Sequence, residues 1–396
     1  MSAPEENEEL TIQEEYKLWR QNCHYMYDYI SETALTWPSL TVQWHPESEK
    51  GDHTLTSRLL LGTHTSNEDV NYLKVASVTL PDFKGPSEAK LNSRLKVTKK
   101  YRHADAEINR ARYMSQDATV VATISGSGLV SLYKTNSAGV VELKHHTSNG
   151  YGLNWSPRRK GYLATGSDDQ TVAIWDTEKP VAPLLVVKHS DIVNDVKWHH
   201  FDENVFGSVS DDTNLLLWDV RAAEKPIKRA GKNGAINSLA FNNFSANLMV
   251  VGNADSTIDL FDLRRMDRKL HTLMGHSESI TSMEWSPHRD GILASGSQDR
   301  RVLLWDLYKI GEEQQQDDLE DGAPEIFMMH AGHTSSVQDL SWHPEIDWCL
   351  ASTSDDNVVH IWKVADKLTA NCSKETEKEG EDGWEDEEEM ADADLE

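Results

Sequence analysis

Serine or threonine, histidine and aspartate recur along this chain at fixed spacing, and together they can do acyl-transfer chemistry. Asp169, Asp212, Asp255, Asp299 and Asp356 each stand six residues before an aromatic residue. His189, His276 and His333 each stand nine residues before another aromatic, and Thr165, Ser208, Ser295 and Ser352 lie between. A hydrolase needs one such set, with histidine as base and serine as nucleophile. A set that recurs with a repeat reads instead as a buried hydrogen-bond tetrad. Asp orients His, His bonds the hydroxyl, and the hydroxyl meets an indole N–H. Lys232 stands where one histidine would be and Ser127 where one aspartate would be, so those repeats must rely more on packing. The segment GSGLV at 126–130 lacks the further glycines and the helix of a dinucleotide motif. Cys23, Cys349 and Cys372 form no CxxC pair. This leaves no disulfide framework and no cysteine zinc site, and fits a reducing compartment. No catalytic residue, metal or cofactor is expected.

The elements that must position these residues follow from the repeat. Opening aromatics stand at Trp44, Tyr113, Trp155, Trp198, Phe241, Trp285 and Trp342, at intervals of 69, 42, 43, 43, 44 and 57 residues. Closing aromatics stand at Tyr133, Trp175, Trp218, Phe261, Trp305 and Trp362, and Asp176, Asp219 and Asp306 complete a literal WD pair. A period of 40–45 residues with this signature predicts four short strands per unit. Segments such as TVAIWD (171–176) alternate in the way packed strands require. The expectation is an all-β chain, a seven-bladed β-propeller of WD repeats spanning 32–366. The last unit has only three strands of its own. Residues 35–40 are expected to complete it, so that no sheet edge is left open.

Charge is concentrated outside the repeat. The chain carries −27 overall. Segment 375–396 carries −12, segment 312–325 seven acids without a base, and residues 1–15 six acids without a base. The remainder is nearly neutral. An acidic chain is a poor ligand for phosphate backbones and a good one for a basic protein, so no nucleic-acid partner is expected. No apolar run is long enough to span a bilayer, and the acidic start lacks the apolar stretch of a signal peptide. Residues 1–10 are expected to be an acidic extension, and 367–396 a disordered acidic tail that lures basic partners.

Two departures from the repeat suggest a binding surface. Ile12, Tyr16, Trp19, Cys23, Met26 and Ile30 follow 4-3-4 spacing, and Thr11 with Glu14 forms a capping box. The spacing predicts an N-terminal α-helix over 11–31 packed on the propeller. Tyr25, Met26, Tyr29 and Ile30 crowd its C-terminal end with more apolar surface than one packed stripe needs. The late unit carries about fourteen extra residues in the region 311–329, where acids run directly into Ile326, Phe327, Met328 and Met329. Acids beside apolar groups suit a basic amphipathic helix. The long first interval, 65–95, reads as an elaborated blade with a loop.

The strings TIQEEYKLWRQN (11–22), LTWPSLTVQWHP (35–46), LLLGTHTS (59–66), EINRARYM (107–114), KIGEEQ (309–314) and LEDGAPE (319–325) resemble the histone-binding WD-repeat family. That family includes the retinoblastoma-binding proteins of chromatin complexes. The resemblance covers residues 11 to 365. It implies a non-catalytic subunit that presents histone four to the catalytic subunit of a type B histone acetyltransferase, found in cytoplasm and nucleus. The alternative is a histone-binding subunit of chromatin assembly, remodelling or deacetylase complexes. Carried over residue by residue, a histone-four groove would use Tyr25, Met26, Tyr29 and Ile30 on the helix. From the insert it would use Asp317, Asp318, Asp321, Gly322, Met328 and Met329. A top-face site for the histone-three tail would use Glu107, Asn109, Tyr151, Asn194, Asn237 and Asp355. Asn149 and Asn194 replace glutamates common in the chromatin members, which lowers the charge offered to that tail.

Overall fold

Each repeat begins with an apolar strand and continues with two in which nearly every position is apolar or small. Such strands must be covered on both faces. In the third repeat Gly150–Trp155, Tyr162–Ser167, Thr171–Asp176 and Leu185–Lys188 pair antiparallel in that order, and Leu163 to Ser167 are all buried. The computed structural model describes residues 11–83, 95–137, 139–222, 225–231, 234–314 and 322–370. They form seven sheets, six of four strands and one of five. The chain is a seven-bladed propeller. Its apolar core is divided into seven clusters, one at each blade-to-blade interface. One holds Met114, Ala122 and Ile124 of blade two against Trp155, Leu163 and Trp175 of blade three.

The two aromatic series do different work. Opening tryptophans staple blades together: the indoles of Trp155, Trp285 and Trp342 donate to the backbone carbonyls of Arg112, Ala240 and Glu284 in the preceding blade, at 2.9, 3.2 and 3.0 Å. Closing tryptophans end the tetrads within a blade. Asp212 Oδ2 meets His189 Nδ1 at 3.0 Å, His189 Nε2 meets Ser208 Oγ at 2.7 Å, and Trp218 donates to that hydroxyl at 2.8 Å. Asp299, His276, Ser295 and Trp305 repeat this, as do Asp169, Thr165 and Trp175 with His146, a member the sequence reading overlooked. In blade seven the Ser354 hydroxyl stands between His333 and Asp356. In blade two Asp105 takes the bonds of Ser125 and Ser127, and His103 meets the Tyr133 hydroxyl at 2.8 Å. Lys232 lies outside the described residues. Recurrence in four blades, with each Ser or Thr hydroxyl engaged by an indole, makes the sets structural.

The tetrads make stability depend on acid pH. Burial alone would raise the Asp212 carboxyl, but the Ser190 N–H, His189 and the Asn214 N–H outweigh it and hold the group at about 2. A group depressed from about 3.9 contributes its stability above that value and loses it as pH falls toward the folded value. Asp212→Asn is therefore expected to cost about 2 kcal/mol at neutral pH, with the gap to wild type closing as pH falls from 4 toward 2. Thermal midpoints across that range test this. A pH-independent gap would mean that the carboxylate charge contributes nothing.

The ring is closed by a segment other than the expected one. Strand β1, Tyr27–Ala34, pairs antiparallel with Val358–Val364 in blade seven, from Ala34 opposite Val358 to Tyr27 opposite Val364. Residues 35–40 form no strand and instead lead into blade one. The N-terminal helix, α1, is accordingly Ile12–Met26 and stops short of residue 31. Tyr27 takes extended backbone, and Tyr29, Ile30 and Thr33 suit the pleated edge that blade seven must cover. At the other end residues 366–370 form a helical turn with Thr369 buried, so the folded part continues past 366. Residues 1–10, 84–94 and 371–396 lie outside the described residues.

Candidate functional site

Helix α1 is fixed at both ends and along one face. The Thr11 N–H and hydroxyl donate to the Glu14 carboxylate at 2.9 and 2.7 Å, satisfying a free helix end. Glu15 receives Arg300 and Arg301, each at 2.9 Å, which ties the first turn to blade six. Trp19 is buried. Its indole donates to the Tyr27 hydroxyl at 3.1 Å, Tyr27 meets His330 Nδ1 at 2.8 Å, and His330 Nε2 meets His360 Nδ1 at 3.0 Å. Burial first, then the neighbouring imidazoles, hold His330 and His360 well below the usual histidine range, so both are neutral. Nitrogens of His330, His333 and His360 lie within 4.8 Å of one another. The His333 and His360 rings stack at 4.1 Å and 26°, however. In-plane lone pairs of stacked rings do not converge on a metal ion, and the cluster is a hydrogen-bond relay beneath the helix.

The outer face of α1 is available. Leu18 is 51% exposed and Tyr25 58%, seven residues apart on one stripe with Asn22 between them. Tyr25 packs against His24 and lies under the Lys367 ammonium, 5.3 Å from its ring centre. Met26 is half-buried against the core under the helix. Leu18 escaped the sequence reading because it falls off the buried 4-3-4 face, and that displacement was the usable signal.

The other groove residues are divided. Tyr29 and Ile30 lie on β1 and not on the helix. Ile30 joins the core beneath α1, whereas Tyr29 joins the blade-seven to blade-one core and meets the Phe83 ring at 6.3 Å. Met328 and Met329 likewise separate, because successive strand residues face opposite ways. Met328, 6% exposed and opposite Leu304, belongs to the core under α1. Met329, 42% exposed, lies opposite Leu303, whose side chain belongs to the other face of that sheet. Asp317, Asp318 and Asp321 lie outside the described residues. The base of the insert is pinned: Gln314 Nε2 donates to the Gly322 carbonyl at 3.0 Å, and the Asp306 N–H to the Glu325 carbonyl at 2.8 Å. Gly322 has φ +106°, a conformation that favours glycine.

Four of the six top-face residues share one structural cause. Asn109, Tyr151, Asn194 and Asn237 each occupy a β-bulge at the start of an innermost strand, one per blade from two to five. Thr281 and Gln338 hold the same place in blades six and seven. A bulge re-aims a side chain, here toward the next blade: Asn109, Asn194 and Asn237 donate to the carbonyls of Gly150, Ile236 and Ile280 at 2.8, 3.0 and 3.1 Å. Asn109 donates to Asn149 Oδ1 at 2.6 Å, and Asn149 to the Tyr151 hydroxyl at 2.8 Å. Asn194 donates to Asp211 at 2.7 Å, Asn237 to Ser279 Oγ at 2.6 Å, and Gln338 to Asp355 at 2.7 Å. The Glu107 carboxylate stands over Gly126, where a Cβ would come within 2.2 Å of it. Burial raises the Asp355 carboxyl, and burial with Asp211 beside it raises that of Asp168. Asp168 and Asp211 were missed. Their signal was the doublet DD at 168–169, 211–212 and 355–356, where the first acid lines the rim and the second enters the tetrad.

Residues 14–82 match the family model of the histone-binding protein RBBP4, described also as a component of the CAF1 complex. Residues 139–176, 182–219, 267–306 and 326–363 match the WD domain, G-beta repeat. Over 390 residues the chain is 51% identical to histone acetyltransferase type B subunit 2 of Debaryomyces hansenii, covering 92% of this chain and 94% of that one. The chain belongs to this family. The relative of the same description from Candida albicans is also 51% identical, over 93% of this chain and 97% of its own length. That from Schizosaccharomyces pombe is 42% identical, over 91% and 94%. The family segment 14–82 covers most of α1, all of β1 and the first two long strands of blade one. The segment that supplies the helix and the closing strand thus lies within the family match. The WD matches end one residue past the closing aromatics of blades three, four, six and seven, the four in which that indole donates to a serine or threonine hydroxyl.

Proposed function

We propose that the chain is a non-catalytic, histone-binding subunit of a type B histone acetyltransferase. It holds the first helix of histone four and presents that histone's tail for lysine acetylation by a catalytic partner. The observation that carries this reading is the exposed Leu18–Tyr25 stripe of α1, in a chain whose blade-six insert bears seven acids and no base over 312–325. A basic amphipathic helix needs an apolar seat and acids beside it. The relatives' name and the family description support the same reading. The rim acids Glu107, Asp168, Asp211 and Asp355 suit a second, basic guest, the histone-three tail. Partners are thus histones three and four and the acetyltransferase's catalytic subunit, with cytoplasm and nucleus as the compartments. The matched description also names the CAF1 complex, which supports membership of a chromatin assembly complex as a second reading.

Calorimetric titration with two separate peptides tests the two surfaces. Leu18→Asp with Tyr25→Asp is expected to weaken the histone-four helix peptide by more than about tenfold, since carboxylates would face an apolar stripe. The histone-three tail peptide should be unaffected by that pair and weakened by Glu107→Ala. Unchanged histone-four affinity in the double variant would sink the groove. Acetyl transfer by the isolated chain would sink the non-catalytic reading.

A further inference from the structure

The inner strands enclose a cavity of about 160 Å³ on the propeller axis. Its wall is uneven in hydrogen-bonding character. The Gln43 side-chain carbonyl accepts the Tyr113 N–H of the next blade at 2.7 Å, and the Asn154 carbonyl accepts the Trp198 N–H at 2.8 Å. These bonds fix both amides with their NH2 groups left over, and among the described residues neither NH2 group has a partner. Arg110 Nε is buried without a partner. The nearest acid to the Lys197 ammonium is Asp195, at 3.5 Å, and that oxygen already accepts the Val196 N–H at 2.9 Å. Blades one to four thus present an arc of surplus donors.

The acids of the cavity meet this surplus only in part: Arg110 reaches Asp339 Oδ1 through Nη1 at 3.4 Å, which leaves its Nε unmet. Asp339 is saturated: Arg112 binds its two oxygens at 2.9 and 3.0 Å, and the Val42 N–H adds a third bond at 2.9 Å. Glu284 spends one oxygen on the Trp342 N–H at 3.0 Å, and burial pushes its carboxyl up to about 7. Arg110, Arg112 and Lys197 keep 12, 13 and 18% side-chain exposure, so solvent reaches them along the channel. The buried Arg110 Nε left unmet is costly, and an acceptor with several oxygens relieves it together with the amide NH2 groups beside it. An apolar cavity of about 150 Å³ admits a ligand the size of benzene, so this one admits a small polyatomic anion.

We infer that the channel binds one free oxoanion of the phosphate or sulfate class, between Lys197, Arg110 and the amide NH2 groups of Gln43 and Asn154. A bound anion would bridge four blades from the inside. Equilibrium dialysis of the full-length chain with radiolabelled inorganic phosphate tests this. Saturable uptake of a single phosphate per chain in the millimolar range is expected. Asn154→Asp and Gln43→Glu each keep the oxygen that holds the neighbouring blade and replace only the donor. Each is expected to weaken uptake by at least about tenfold. Absence of saturable uptake by the wild type would overturn the proposal, as would full uptake by both variants. ATP is too large for the cavity and should not compete. Displacement by ATP as effective as by sulfate would overturn a free anion as the occupant. Circular dichroism checks that the variants fold, and the wild-type titration with its ATP arm decides the matter even if one does not.

Discussion

Replacing Trp19 by alanine is expected to destabilise the protein by about 3–5 kcal/mol, the range for emptying a large aromatic from a core. Trp19 packs on His360 at 5.8 Å, and a Cβ at Gly332 would come within 2.6 Å of its ring, so no neighbour can move in cheaply. The substitution also strips the Tyr27 hydroxyl of its indole donor. Glu15 would still hold Arg300 and Arg301, but a partly exposed ion pair adds little alone. The helix should therefore loosen first. Denaturant midpoints give the energy, and amide exchange in α1 gives the location. Trp19→Phe should recover most of the packing and lack the hydrogen bond. An alanine variant with an unchanged midpoint and a protected helix would show that α1 is held elsewhere.

The second large effect concerns binding. Asp318→Lys with Asp321→Lys places two cations where a basic helix expects acids, a change of four charges. Like charges across an interface cost several kcal/mol, so affinity for the histone-four helix peptide should fall by about a hundredfold or more. The fold should survive, because the insert is pinned below these positions by Gln314–Gly322 and Asp306–Glu325. Part of the loss should be recovered at high salt, where repulsion is screened. An equal loss for the histone-three tail peptide would show that the two surfaces are one. An unchanged affinity would remove the insert from the groove.

The repeat was legible because burial on both faces leaves few choices for strand residues, so period, aromatics and polar set recur together. The limits lay where local pattern and tertiary need disagree. Ile30 continues the helical spacing of Tyr16, Trp19, Cys23 and Met26, yet the open edge of blade seven draws 27–34 into a strand. The apolar run at 35–40 looked like the better strand but contains Pro38, which offers no N–H to a ladder. Met328 and Met329 are neighbours in sequence and therefore opposites on a strand, so a groove assigned by proximity alone placed them together. Leu18 was invisible for the converse reason: a residue left outside the buried stripe carries no packing signal. The four bulge residues on the rim came from the resemblance, since a bulge has no clear pattern in one sequence.

The closure of blade seven has a consequence for how the protein is made. Strand β1 and its partner Val358–Val364 lie more than three hundred residues apart in the chain. At about 10 residues per second the first strand waits roughly half a minute on the ribosome for its partner. Until then α1 lacks its seat, because His330, Gly332 and His360 are synthesised about three hundred residues after it. The helix and the surface it carries come into being only with the finished ring. A fragment halted before blade seven would have its tetrads in order, yet no seat on which to offer the Leu18–Tyr25 stripe. Competence to bind is thus coupled, through one strand pairing, to synthesis of blade seven.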